Sequence, residues 1–227
     1  MRIALGVVLV ALVLSITASA GPIVLTFQGL QNDEEVLNYY NGGTGSLGSG
    51  PGPSYGITFN PDALAIINTD NGGTGNFEGA PGGDTVLYFL SGSAIMDVPA
   101  GFTTGFSLYY SAVNEGGTIN VYSGLDDGGT LLTTLTLPAT PEGYPTPPCT
   151  NPSEIFCPFQ SFGVSFSGTA MSVDFGGTVN QIGFSDITLG SATPGPSSTT
   201  PEPATFGLLG LGLASSALIS RKRRGAQ

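Results

Sequence analysis

Short apolar runs separated by glycine and proline dominate this chain. Its 227 residues include 36 Gly and 17 Pro, which interrupt helices but suit the turns between short strands. The runs are rich in Val, Ile, Phe, Tyr and Thr, as strands are. They lie at 23–30, 56–59, 63–68, 85–90, 105–112, 118–122, 131–137, 162–167, 171–175 and 181–189. The pattern predicts an all-β fold, an antiparallel two-sheet sandwich of the jelly-roll kind.

Segment 32–40 does not fit the strand pattern. Its acidic start, Asp33-Glu34-Glu35, suits the N-terminus of a helix. The segment could equally be a loop that crosses one end of the sandwich, and the sequence leaves both interpretations open.

The N-terminal end has the pattern of an export signal. A short basic start at Met1-Arg2 precedes an apolar stretch at 3–14 and a small-x-small signal at Ala18-Ser19-Ala20. These parts predict a secretory signal peptide at 1–20. Residues 21–190 then form one domain, and the Ser, Thr and Pro of 191–200 predict a flexible linker.

The C-terminal tail, residues 201–227, has three parts in a fixed order. Pro201-Glu202-Pro203 is followed by the uncharged apolar run 204–220 and then by Arg221-Lys222-Arg223-Arg224. A run of this length is at the short end of what can cross a membrane as a helix. The basic block would stay on the cytoplasmic side, so the tail predicts a transmembrane helix at about 204–220 with the rest of the chain outside.

This tail resembles the PEP-CTERM sorting signal of Gram-negative bacteria. In that family the tail holds an exported protein in the inner membrane until an exosortase cuts near Pro-Glu-Pro and passes the protein to the cell surface or an exopolysaccharide matrix. The resemblance implies exosortase-type machinery as a partner. It assigns sorting roles to Pro201, Glu202, Pro203, Arg221, Lys222, Arg223 and Arg224. The competing interpretation is an ordinary membrane anchor, which also makes the protein extracytoplasmic.

Charge is distributed very unevenly along the chain. Residues 21–200 contain no Lys, Arg or His, whereas every Asp and Glu except Glu202 lies there. Such a polyanion cannot neutralise phosphate, which excludes nucleic acid as a partner. Catalytic triads with a His or Lys base are excluded as well. A glycosidase needs only two carboxylates, but the chain has no Trp to bind a sugar ring, so we expect a protein that is not an enzyme.

The acidic domain suggests bound cations. Its carboxylates repel one another, and only hydrogen bonds, salt and bound ions can offset that repulsion. Oxygen ligands suit calcium, although the acidity could also serve solubility alone. The carboxylates that we consider as calcium ligands are Asp33, Asp84, Asp126 and Asp186.

A second resemblance covers most of residues 23–189. Leu25-Thr26-Phe27-Gln28 near the start and Phe184-Ser185-Asp186-Ile187-Thr188 at the end are similar to the first and last strands of exported, PEP-CTERM-tailed β-sandwich proteins. In related jelly rolls these two strands lie side by side, and an acidic residue near each shares a structural calcium. The resemblance therefore implies a site between Gln28 and Asp186, although Gln28 replaces the opening acid.

The two cysteines, Cys149 and Cys157, enclose a proline-containing segment. In an oxidising compartment they predict a disulfide that pins one loop. A zinc site would need more ligands than the domain offers.

These features together predict a cell-surface or exopolysaccharide-matrix protein with a structural or adhesive role. The alternative is a carbohydrate-binding module, stabilised by calcium, that binds extracellular polysaccharide. In that case exposed tyrosines would stack on sugar rings. The tyrosines considered for this role are Tyr39, Tyr40, Tyr55, Tyr109, Tyr110 and Tyr122.

Overall fold

A computed structural model describes residues 21–195, and these residues form an all-β protein with two antiparallel sheets. The all-β prediction is confirmed. The strands are β1 (Ile23–Leu25), β2 (Glu34–Glu35), β3 (Thr58–Phe59), β4 (Leu64–Ile67), β5 (Thr85–Tyr88), β6 (Ala94–Phe102), β7 (Gly105–Ser111), β8 (Gly117–Tyr122), β9 (Leu131–Leu137), β10 (Gln160–Ser165), β11 (Ala170–Gly177) and β12 (Gly183–Leu189). One short 3-10 helix, Thr69–Asn71, interrupts them. Segment 32–40 is a loop that contains β2.

The seven-stranded sheet has the order β10-β7-β12-β5-β4-β2, and β1 also pairs with β12. The five-stranded sheet has the order β3-β6-β11-β8-β9. Because Ile23 pairs with Leu189, the first and last strands of the domain lie side by side.

The main core lies between the two sheets. Alternation along β7 buries Tyr110 completely and leaves Tyr109 partly exposed, as period-two strand geometry requires. Ring contacts join the two sheets: the Phe106 and Phe175 centroids are 5.9 Å apart, and those of Phe175 and Phe184 are 5.2 Å apart. Each such buried side chain contributes about 1.5–3 kcal/mol through removal of apolar surface from water.

A smaller apolar cluster covers part of the seven-stranded sheet on its outer side. Phe77 and Phe159 make an edge-to-face contact there, and the predicted Cys149–Cys157 disulfide is confirmed in the loop before β10. A cavity of about 30 Å³, lined in part by Phe77 and Tyr88, opens beside this cluster. That volume suits a water molecule or two rather than a sugar ring.

The C-terminal segment 191–195 packs on the seven-stranded sheet. Ser107 Oγ donates to the Ser191 carbonyl oxygen at 2.9 Å, and the Gly195 amide donates to Thr188 Oγ1 at 3.2 Å. The folded unit therefore continues past residue 190. The predicted signal peptide at 1–20 and transmembrane helix at 204–220 lie outside the described residues. Within 21–195 we find no helix long and apolar enough to span a membrane.

Candidate functional site

Asp186 is a buried carboxylate with one oxygen that lacks a hydrogen-bond partner among the described residues. It lies within β12, where its side chain is 2% exposed. Its Oδ1 has no hydrogen-bond partner among residues 21–195. Gly82 allows this close packing, because a Cβ at that position would lie 2.8 Å from Asp186 Oδ1 and 2.7 Å from Ser185 Oγ. The Gly82 amide donates to Ser185 Oγ at 3.1 Å, which holds the glycine against β12.

The next glycine along the chain contacts the other residue implied by the resemblance. A Cβ on Gly83 would lie 3.0 Å from Gln28 Cδ. Gln28 Nε2 donates to the carbonyl oxygens of Thr26 and Thr85, both at 3.3 Å, and its Oε1 is an oxygen acceptor. Two consecutive glycines thus bring Gln28 and Asp186 into one neighbourhood, with Asp84 directly after them in the chain.

This neighbourhood has the chemistry of a calcium site. Burial raises the pKa of Asp186 to about 6, because the apolar surroundings disfavour the charged form. A cation bound to Oδ1 would compensate that charge, and amide, hydroxyl and carbonyl oxygens are the ligands that calcium accepts. In the described part of the chain no three acidic, His or Cys side chains converge on one point. A site here would therefore use Asp186 with neutral oxygens such as Gln28 Oε1.

Asp33 and Glu34 are occupied by protein hydrogen bonds. Asp33 Oδ1 accepts from the Tyr88 hydroxyl, and Oδ2 accepts from Asn32 Nδ2 at 2.7 Å. Burial alone would raise the pKa of Glu34, but hydrogen bonds from Gln31, Ser49 and Leu47 outweigh it and hold the pKa below its usual range. These two carboxylates organise the loops around β2.

Asp126 belongs to a different site, on the outer face of the five-stranded sheet. Its amide donates to Asp97 Oδ1 at 2.9 Å, and the neighbouring Asp127 amide donates to Ser172 Oγ at 3.1 Å. Burial, with smaller contributions from Asp174, Asp97 and Asp126, raises the pKa of Asp127 to about 6. Of the four predicted ligands, Asp186 lies in β12, whereas Asp33, Asp84 and Asp126 lie in loops, and Asp126 contacts the five-stranded sheet instead.

Folding stability should be highest in mildly acidic solution when divalent cations are absent. Folding raises the pKa of Asp127 and Asp186 to about 6. Their protonated forms therefore contribute fully to folding stability below about pH 3.9, and this contribution is lost as pH rises through 6. Glu34 and Glu78 have lowered pKa values, so their contribution is lost as pH falls below about 4. We expect the thermal midpoint in chelator and low salt to peak at about pH 4–5 and to fall toward pH 7. A midpoint that rises steadily from pH 5 to 7 would contradict this expectation.

One buried acid was not predicted from the sequence, and the structure divides the tyrosines considered for sugar binding into buried and partly exposed members. Glu154 is 2% exposed, and its Oε2 has no partner within 21–195. Nothing in the local sequence distinguishes it from an exposed Glu. Tyr39, Tyr40 and Tyr110 are buried, which leaves the partly exposed members of the predicted set, Tyr55, Tyr109 and Tyr122.

Comparison with solved structures finds distant similarities. The cleaved adhesin domain K2 of Lys-gingipain has 14% identity and a TM-score of 0.46, with 75% of this chain and 100% of that chain covered. A family 43 arabinoxylan arabinofuranohydrolase from Bacillus subtilis has 18% identity and a TM-score of 0.38; 59% of this chain is covered, but only 26% of the hydrolase. A family 6 carbohydrate-binding module of Cellvibrio mixtus lichenase 5A has 11% identity and a TM-score of 0.31, with 57% and 87% covered. At these values none of them assigns a function to the chain.

The C-terminal tail gives a clearer result. No curated protein matches the chain significantly, but residues 199–224 match the model of the PEP-CTERM protein-sorting motif. The match contains Pro201-Glu202-Pro203 and ends at Arg224, the last residue of the basic block. The chain therefore carries a PEP-CTERM protein-sorting motif, which follows a β-sandwich domain in the sequence.

Proposed function

We propose that the ectodomain is a structural or adhesive component of the cell surface or of an exopolysaccharide matrix, delivered there by an exosortase. The PEP-CTERM motif at 199–224 carries this proposal, because sorting to the surface is what such a motif specifies. The basic block would stop translocation, and the Pro-Glu-Pro would mark the place of processing.

The composition supports a role without catalysis. Residues 21–195 contain no Lys, Arg or His, the side chains that most often act as bases or stabilise developing negative charge. Of the strongly shifted carboxylates, Asp127 lies in the connection between β8 and β9 of the five-stranded sheet, and Asp186 lies in β12 of the seven-stranded sheet. This separation does not favour a cooperating acid and base.

Calcium is the cation that we propose for the Asp186 neighbourhood. Asp186 Oδ1 and Gln28 Oε1 would supply two ligands, and the bound ion would join the first and last strands of the sandwich. The ion would act as a structural clamp, since binding to the folded state alone stabilises it.

Carbohydrate binding is a second candidate function, and the outer face of the five-stranded sheet favours it. Asp97, Ser172 and Tyr122 lie in register across β6, β11 and β8. The neighbouring row contains Asp174, Asn120 and Thr134. Ser172 itself is buried, but Tyr122, Asp174 and Asn120 are partly exposed and Thr134 is exposed. This face therefore offers both stacking and hydrogen bonding to a sugar.

Affinity electrophoresis in gels that contain the host's exopolysaccharide tests this candidate. We expect polysaccharide to retard the wild-type ectodomain and Tyr122→Ala to lose most of that retardation, because the variant lacks the aromatic surface on which a sugar ring would stack. Tyr144→Ala is the matched control, since Tyr144 is 47% exposed but lies in the connection between β9 and β10 rather than on this face. Equal retardation of wild type and Tyr122→Ala would exclude this face as the sugar site. If polysaccharide does not change the mobility of the wild-type ectodomain, carbohydrate binding is excluded and the structural role is the one that remains.

A further inference from the structure

Glu154 is a buried acid that neither the sorting function nor the Asp186 neighbourhood uses. It lies between Cys149 and Cys157, inside the loop that the disulfide closes. Its side chain is 2% exposed. This position makes it a candidate for binding chemistry of its own.

The loop holds Glu154 in place from both sides. Before it, Glu78 accepts hydrogen bonds from the Thr150 amide at 2.7 Å and the Asn151 amide at 2.9 Å. The Glu154 amide donates to the Asn151 carbonyl oxygen at 3.1 Å. After it, the Phe156 amide donates to the Asn76 carbonyl oxygen at 3.1 Å. The carboxylate therefore sits in a rigid frame.

Segment 69–75 places the Thr69 hydroxyl beside this carboxylate and the Gly75 carbonyl oxygen beside that hydroxyl. Thr69 Oγ1 lies 3.1 Å from Glu154 Oε1 and 3.2 Å from the Gly75 carbonyl oxygen. The Gly75 carbonyl oxygen also accepts from the Thr69 amide at 2.9 Å, so the single proton of the hydroxyl is available to Glu154 Oε1. Glu154 Oε2 has no partner at all within residues 21–195. Together, Glu154, Thr69 and Gly75 thus have more oxygen acceptors than hydrogen-bond donors at this place.

Glu34 shows how this domain otherwise accommodates a buried acid. Its carboxylate accepts amide hydrogen bonds from Gln31 at 2.7 Å, Leu47 at 2.9 Å and Ser49 at 3.1 Å. Glu154 receives at most one bond, from a neutral hydroxyl. No Lys, Arg or His exists in 21–195, so an ionised Glu154 can be compensated only by a cation from solution.

We propose that Glu154, Thr69 Oγ1 and the Gly75 carbonyl oxygen bind a divalent cation, with calcium as the preferred ion. Hard oxygen ligands of this mixed kind are those that calcium takes. Thr69 is an exposed residue, which gives the ion access from solvent. The bound ion clamps the disulfide loop to segment 69–75. This site depends neither on the matrix role nor on the site at Asp186.

Calorimetric titration of the chelator-treated ectodomain with calcium chloride at pH 7 tests the proposal. Residues 22–195 belong to one compact unit that contains every strand pairing described above, so this part is suitable for study alone. We expect Glu154→Gln to bind one calcium ion fewer per chain than wild type. Thr69→Val, which keeps the carboxylate, should weaken the same site at least about tenfold. Glu142→Gln is the control, because it makes the same change at an exposed position and should bind like wild type.

Hydrogen exchange locates the ion. Calcium should slow amide exchange in 149–157 of the wild type and of Asp186→Asn, but not of Glu154→Gln. The proposal is overturned if wild type binds no calcium, or if Glu154→Gln keeps both the wild-type stoichiometry and the calcium-dependent protection of 149–157. Loss of calcium binding only in Asp186→Asn would also overturn it, and would leave the Asp186 site standing.

Discussion

We expect Asp186→Asn to stabilise the ectodomain at pH 7 when calcium is removed by chelator. The aspartate is buried and its pKa is raised to about 6, so its ionisation at neutral pH opposes folding by up to about 3 kcal/mol. Asparagine removes the charge and tolerates the left-handed backbone conformation, φ 48°, of this position. The free energy of unfolding should rise by about 1–3 kcal/mol, which corresponds to a midpoint about 2–10 °C higher.

Millimolar calcium should remove most or all of this advantage of the variant. The wild type gains about 2.7 kcal/mol when calcium is present at about 100 times its dissociation constant, whereas the variant lacks the carboxylate ligand. Asp70→Asn, at an exposed position, is the matched control and should leave both midpoints near those of the wild type. Calorimetric unfolding with calcium and with chelator measures all of these values. Equal gains from calcium in wild type and Asp186→Asn would contradict a site at Asp186.

Substitutions in the sorting tail should have large effects on the distribution of the protein between the membrane and the cell surface. A variant with Gln in place of the basic block lacks the charges that oppose translocation, which are those of Arg221, Lys222, Arg223 and Arg224. Its tail should pass through the membrane or insert poorly. We expect the inner-membrane fraction to lose most of this variant. Replacement of Pro201, Glu202 and Pro203 by Ala should have the opposite effect, with an unprocessed chain that accumulates in the membrane.

A block of four lysines is the matched control for the basic residues, because it keeps the positive charge and should be retained like the wild type. Cell fractionation with immunoblotting gives the distribution. If the Gln variant is retained in the membrane as well as the wild type, the basic block does not act as the stop.

Most strands were predictable from composition and turn residues, but the longest strand was not. Every predicted run overlaps an observed strand, and β9 has the predicted bounds of Leu131–Leu137. β6, Ala94–Phe102, escaped prediction because Pro99 and Gly101 interrupt its pattern. Pro99 is tolerated since β3 pairs with β6 only at residues 96 and 97, and the pairing with β11 shifts register nearby.

Individual acids were harder to interpret from sequence than strands. Asp186 was identified through the resemblance of the last strand to a known family. Asp33 and Glu34, which are neighbours in the sequence, instead accept hydrogen bonds from segments that are distant in the chain. Glu154 lies in a polar, proline-containing loop that gives no sign of its burial. Whether a carboxylate lacks a partner depends on long-range packing, and a local sequence pattern does not record it.

Intact-mass measurement of the protein recovered from the cell surface and matrix is the most direct test of surface sorting. We predict a mature chain that begins at Gly21 and ends near Pro201, because a signal peptide has been removed and an exosortase has cut at the tail. A strain without exosortase should instead hold a longer chain, with the tail still attached, in its membranes. A surface protein that retains its tail through Gln227, or a chain that remains in the cytoplasm with Met1, would contradict the proposed sorting.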